Sequence, residues 1–138
     1  MNAASLDRIR RSYRQLTPMM AKLTELFYDR LFTSLPESRK LFRTDMEIQR
    51  RHFAAALALI VRNLDKLDAL EEPLRELGKD HARAGVRAEH YPVVCEVILA
   101  SIAEVSRDAW SDEVSGDWQN LLHIVSLHML AGSITSPV

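Results

Sequence analysis

Leu77–Val94, LGKDHARAGVRAEHYPVV, holds the end of one helical pattern, a glycine stop and the start of the next pattern. Reading backwards, Leu70, Leu74, Leu77 and His81 recur at i, i+4, i+7 and i+11, a single stripe of one α-helix. Gly85 is placed to end that helix, because glycine takes the left-handed backbone of a C-terminal cap at little cost. Reading forwards, Pro92 opens a second helix whose inner face is Val94, Ile98, Ile102 and Val105. His81 is the exception on its stripe, since it extends a row of leucines and so points inward. A buried imidazole must be hydrogen-bonded or ligated. On the stripe alone, a satisfied core histidine and a metal ligand both meet that demand.

The same helical period runs through the rest of the chain. Leu6, Ile9, Tyr13 and Leu16 form a first face, with Ser5 as a candidate N-cap. Thr17-Pro18 is expected to restart a helix, with Thr17 as cap, over an inner face of Met20, Leu23, Phe27 and Leu31 flanked by Tyr28. Pro36 stops that helix or opens a short turn ending at Leu41 and Phe42. A polar bridge over 43–47 leads to a helix expected over about 48–64, with Gln49, Phe53, Ala56, Leu57, Ile60 and Leu64 on one face. A last helix carries Trp118, Leu121, Leu122, Val125 and Met129. Residues 65–70 read as a connection. Six or seven helices with short connections and no convincing strand give an all-α fold in a single domain, residues 1–138.

Composition narrows the chemistry. Of 138 residues, 47% are hydrophobic and 27% charged, an ordinary globular balance that needs no disulfide to fold. The formal net charge of -1 calls for neither nucleic acid nor an anionic membrane surface. Arg8, Arg10, Arg11 and Arg14 read as a solvated helix face. A single cysteine, Cys95, suits a reducing compartment, and no apolar run reaches the ~20 residues of a membrane span, so a cytoplasmic location is expected. Five histidines are present, but none forms a Cys/His pair at zinc spacing; phosphate loops and nucleophile elbows are absent too. Tyr28 and Gln49 lie on two other helices beside apolar positions. A hydroxyl and an amide near Phe27, Phe42 and Phe53 have the make-up of a cofactor pocket, although both residues also suit ordinary amphipathic helices.

The segment around His81, Gly85-Val86 and Tyr91-Pro92 resembles the proximal region of bacterial haemoglobins, above all single-domain globins similar to the haem domain of flavohaemoglobins. LFYDRLF (26–32), LPESRKLF (35–42) and NLDKLDAL (63–70) resemble that family in the same register, so the resemblance spans about residues 6–129. It implies a globin fold of six to eight helices around a pocket for haem b. His81 would be the proximal iron ligand and Phe42 the ring packed on the haem face. Tyr28 and Gln49 would be the distal polar pair and Phe53 the bulky residue above the ligand. Tyr91 would lie near the proximal histidine, with Val86 and Val94 lining that side. His52 would fall one turn beyond Gln49, at the haem edge near a propionate. An alignment that instead makes His52 the distal residue gives a six-coordinate iron.

The implied function is reversible binding of oxygen, or of NO or CO, at a pentacoordinate haem iron. A nitric oxide dioxygenase served by a separate reductase, and a haem-based gas sensor or interaction module, are the alternatives; a monomer or homodimer is expected. Two positions depart from the family pattern. The glutamate that joins the proximal histidine and tyrosine in flavohaemoglobins is Ser133 here, and the basic residue before the histidine is Asp80. The first leaves the proximal relay incomplete and disfavours peroxidase-like chemistry. No flavin or nicotinamide segment follows before Val138, so electrons would come from a partner.

Overall fold

Six α-helices carry the computed structural model, which describes residues 1–43 and 45–134. They are α1 (Ala3–Leu16), α2 (Met20–Ser34), α3 (Met46–Arg62), α4 (Glu71–Arg83), α5 (His90–Ser106) and α6 (Asp112–Ile134). Short 3-10 turns at Thr17–Met19, Pro36–Leu41, Leu64–Leu70 and Arg107–Ala109 join them, and no strand occurs among the described residues. The all-α expectation therefore holds.

Several boundaries differ from the sequence reading, each for a local reason. Asn2, not Ser5, caps α1, because its side-chain oxygen accepts from the Ser5 N–H at 2.9 Å. Ser5 sits inside the first turn and is buried. Thr17 does not cap the next helix: its hydroxyl donates back to the Arg14 carbonyl, and Pro18 tightens the chain into a 3-10 turn. Helix α3 begins at Met46 rather than Ile48, because the Asp45 carboxylate accepts from the Glu47 N–H at 2.7 Å. Of the expected polar bridge, Thr44 lies outside the described residues.

Helix α4 ends as Gly85 predicts. Gly85 has φ 106°, the Gly85 N–H donates to the Ala82 carbonyl, and the Val86 N–H donates to the His81 carbonyl at 2.9 Å. This pair of bonds is the Schellman arrangement. It ties Val86 directly to the backbone of His81. Helix α5 starts at His90, which leaves Pro92 in the first turn, where its missing N–H is not required. Val97 and Ser101, absent from the expected face, are buried, because α5 also packs on α2. The Ser101 hydroxyl is satisfied by the Val97 carbonyl one turn back.

Trp118 is the centre of the main core, fully buried with Ile9, Leu16, Leu23, Ile102 and Leu121. Its indole N–H donates to Ser12 Oγ at 3.0 Å, which satisfies the one polar atom of the ring. Arg8 is not simply solvated. Its Nε and Nη2 donate to the two oxygens of the buried Asp117 at 2.5 and 3.1 Å, joining α1 to α6. That hydrogen bonding holds the Asp117 carboxyl below its ordinary value of 3.8. A depressed native value means stability present above the unfolded value and lost as pH falls through the native one. Asp117→Asn is therefore expected to lower Tm at pH 7, and the gap to the parent protein should close as pH falls below 3.8 through the depressed native value. Thermal melts of both proteins from pH 2 to 8 check it.

Candidate functional site

A mostly apolar cavity of about 270 Å³ opens between two groups of helices. Its first wall comes from α2, α3 and the turn between them. Phe27 and Phe53 stack there with ring centroids 4.4 Å apart, and Tyr28 meets Phe42 edge to face at 5.4 Å. Its second wall comes from α4, α5 and α6, including Leu77, His81, Val94, Leu122 and Met129. All nine residues singled out in the sequence line this one cavity: Tyr28, Phe42, Gln49, His52, Phe53, His81, Val86, Tyr91 and Val94. A separate shallow groove of about 440 Å³ between α2 and α5 contains none of them.

The state of His81 follows from one contact. Its Nδ1 lies 2.8 Å from the Leu77 carbonyl oxygen. A carbonyl only accepts, so Nδ1 carries a proton, and in the neutral tautomer this selects, Nε2 is the lone-pair nitrogen. The leucine stripe turns this ring toward the cavity, and the hydrogen bond to its own helix fixes the ring's rotation. A bond of this kind orients a histidine ring and reserves Nδ1 for the donor role. Among the described residues, no cluster of three His, Cys, Asp or Glu side chains could hold an ion without help. Any metal here must bring most of its ligands with it.

Across the cavity, Tyr28 is buried, and its hydroxyl donates to the backbone carbonyl of Gln49 at 3.2 Å. Burial pushes its pKa up to about 12, against a smaller opposing pull from Arg50. Tyr28 is therefore a proton donor, not a phenolate, throughout the neutral range. Phe53 is half-buried, while His52 is exposed at the cavity rim.

Tyr91 is the anomaly. Its ring lines the cavity, but its hydroxyl is buried with no hydrogen-bond partner among the described residues. Ser133 does not supply one, because its hydroxyl donates to the Leu130 carbonyl of its own helix at 2.7 Å. An unsatisfied buried hydroxyl costs about 1–3 kcal/mol. Tyr91→Phe is thus expected to stabilise the protein by about 1 kcal/mol, measured by chemical denaturation. A destabilised Tyr91→Phe variant would mean that the hydroxyl has a partner after all.

Several lining residues were not assigned to the pocket from the sequence: Leu57, Leu77 and Met129, read only as inner-face positions, and His90, Cys95 and Ser126. Helical spacing already put Leu57 on the face of Phe53, and could have added Cys95, which follows Tyr91 by one turn. Met129 required knowledge of how α6 crosses α4. His90 is held by a local bond, its Nδ1 accepting from the Arg87 N–H at 3.0 Å.

Comparison with known proteins agrees with this arrangement. The family model described as Globin matches residues 25–129. The flavohemoprotein of Rhizobium meliloti is 36% identical over 95 residues, which cover 67% of this chain and 24% of that protein. The chain thus spans about a quarter of the length of the flavohemoproteins it matches. An uncharacterized globin-like protein of Aquifex aeolicus is 31% identical over 98 residues, covering 71% of this chain and 69% of that one. Among solved structures, an engineered carbene transferase built on a Rhodothermus marinus protein assigned as a nitric oxide dioxygenase superposes with TM-score 0.84. That pair shares 28% identity over 96% of this chain and 93% of the other. Matched by this family model over most of its length and by a globin-like relative over two thirds of both chains, the chain belongs to the globin family.

Proposed function

We propose that the cavity holds a non-covalent haem b with His81 Nε2 as the proximal iron ligand, and that the loaded protein binds oxygen or another diatomic ligand reversibly. The observation that carries this reading is the bond from His81 Nδ1–H to the Leu77 carbonyl, which reserves Nε2 of this cavity-lining ring for a ligand role. The donor set fits the group: a single histidine nitrogen would suffice to hold an iron whose remaining ligands come from the porphyrin. With Cys95 as the sole cysteine there is no pair for thioether attachment, which favours haem b. When bound, the haem supplies an iron site open to a small ligand.

The chain's residues do the rest. Phe42, Val86 and Val94 offer apolar surface to the flat faces of the group, and Phe27 and Phe53 keep water from the ligand side. Tyr28 holds a proton ready on that side, and Gln49, whose carbonyl it now engages, keeps its hydroxyl in place. His52 stands at the rim, where an anionic haem edge would meet solvent. The Leu77 carbonyl is a neutral acceptor, so it leaves His81 a milder donor than a carboxylate would make it. This favours reversible binding over peroxide cleavage.

Nitric oxide dioxygenation is a second reading, favoured by the likeness to flavohemoproteins and to the Rhodothermus marinus protein. It requires a separate reductase and shares the same cavity. The first test is an absorption spectrum of the purified protein, supplied with hemin, in the ferric, ferrous and CO-bound states. A five-coordinate ferrous spectrum that becomes six-coordinate with CO is expected. Protein that takes up no hemin overturns the reading. Sustained NO consumption with an added reductase, beyond a single turnover, separates the enzyme from the carrier.

A further inference from the structure

Helices α4 and α6 share the most extensive contact between helices in the fold, and two glycines make it possible. Gly78 of α4 is buried against the backbone of Met129. A Cβ built there would lie 2.6 Å from the Met129 carbonyl carbon and 2.8 Å from its Cα. Gly132 of α6 is buried against the backbone of Arg75, where a Cβ would lie 2.7 Å from both the carbonyl carbon and the Cα. Ordinary contact begins at 3.4 Å. Both neighbours are backbone, so no side chain can swing aside. A methyl group at either position must part the two helices by roughly an ångström, because cores do not yield like liquids.

His81 stands three residues beyond Gly78, about 4.5 Å along the same helix. Its ring is fastened to that helix by the bond to the Leu77 carbonyl, and its carbonyl is fastened to Val86. The imidazole therefore moves with α4 as one body. The facing wall, Phe27 and Phe53, belongs to α2 and α3 and does not move with it. Metal–ligand bonds tolerate about 0.2 Å. The α4–α6 spacing thus bears directly on ligation, although neither glycine lines the cavity.

We propose that Gly78 and Gly132 are positioning residues, whose backbone-to-backbone crossing sets where the His81 nitrogen stands in the cavity. This rests on the reading of His81 as the iron ligand. The crossing takes on added weight here because Ser133 bonds only its own helix in the structure and Tyr91 offers no hydrogen bond. Placement then remains as the lever on the proximal ligand.

The test uses Gly78→Ala and Gly132→Ala, each made in a Gly116→Ala background. Gly116 lies on α6 with nothing within 4 Å of a Cβ, so that change adds helix propensity and offsets part of the cost of the other two. The readouts on hemin-loaded protein are the iron–histidine stretching band in the ferrous resonance Raman spectrum and the rate of haem loss. Gly116→Ala alone should leave both unchanged. Gly78→Ala and Gly132→Ala should each shift the band and speed haem loss by about tenfold or more, the scale of a disturbed outer-shell support. The same pair is then made in His81→Gly protein with free imidazole as ligand, which is not tied to α4. There the glycine substitutions should leave the iron–imidazole band in place. An unshifted band in the His81 protein overturns the proposal, as does an equal shift in the imidazole-ligated protein, which would indicate general damage to the cavity. A parent protein that loads no histidine-ligated haem overturns the His81 reading itself, and this inference with it. Should one alanine variant fail to fold, the other decides, since both act on the same crossing.

Discussion

His81→Gly is expected to lower haem affinity more than a hundredfold and to abolish the ferrous iron–histidine band, while far-UV circular dichroism stays close to that of the parent. The magnitude follows by comparison: disturbing an outer-shell partner of a metal ligand costs about 10–100-fold in affinity, and here the ligand itself is removed. Apolar contacts from Phe42, Val86 and Val94 remain, so some weakly held haem should persist. Fold damage is expected to be small because His81 is only half-buried and its side chain bonds to the preceding turn of its own helix. The Leu77 carbonyl loses that partner but lies in a helix, where it retains its backbone bond. Added imidazole should restore the band, which distinguishes a missing ligand from a collapsed cavity. An unchanged band in His81→Gly protein would show that another residue, with His52 and His90 as the candidates on the same cavity, binds the iron.

How much of this was legible in the sequence depends on what each feature rests on. The stripe through Leu74, Leu77 and His81 and the stop at Gly85 are local properties of spacing and backbone preference, and both are seen. Leu70 instead ends the preceding 3-10 turn, and the next helix starts at His90, two residues before the expected Pro92. The register of Tyr28, Phe42, Gln49 and His81 could be read because aligned segments fix relative position, and these residues do share one cavity. Cap identities were missed at Ser5 and Thr17, where a nearby competitor or a 3-10 turn took the role. Three features rest on contacts between elements distant in sequence: the Arg8–Asp117 pair, the meeting of Gly78 with Met129, and the donation from Tyr28 to the Gln49 carbonyl. No periodicity encodes these. Glycine inside a helical pattern, at 78 and 132, was the one available hint, since an interior glycine is costly unless something needs its missing side chain.

Tyr28→Phe shows what such a contact does to a functional expectation. A tyrosine donating to a bound diatomic ligand that carries partial negative charge would contribute about 1.5–3 kcal/mol. The same hydroxyl, however, already donates to the Gln49 carbonyl at 3.2 Å, a neutral bond worth about 0.5–1.5 kcal/mol. It has one proton, so engaging the ligand means giving up the carbonyl. The net preference is the difference, about 1–1.5 kcal/mol, or roughly tenfold in rate. Tyr28→Phe is accordingly expected to raise the oxygen dissociation rate about tenfold, with little change in association, measured by stopped-flow displacement with CO. A second consequence is set by pH. The Tyr28 pKa is raised from 10.0 to about 12 by burial, so the native state holds this proton more tightly than the unfolded chain does. The associated stability is complete below about pH 10 and is lost as pH rises toward about 12. Tyr28→Phe should therefore flatten the alkaline limb of the stability profile between those values while leaving it unchanged from pH 6 to 9. Across that lower range the hydroxyl stays protonated, and oxygen dissociation from the parent protein should be independent of pH. A dissociation rate unaltered by Tyr28→Phe would mean that the hydroxyl never leaves the Gln49 carbonyl, and that Gln49 or an apolar cage governs the bound ligand instead.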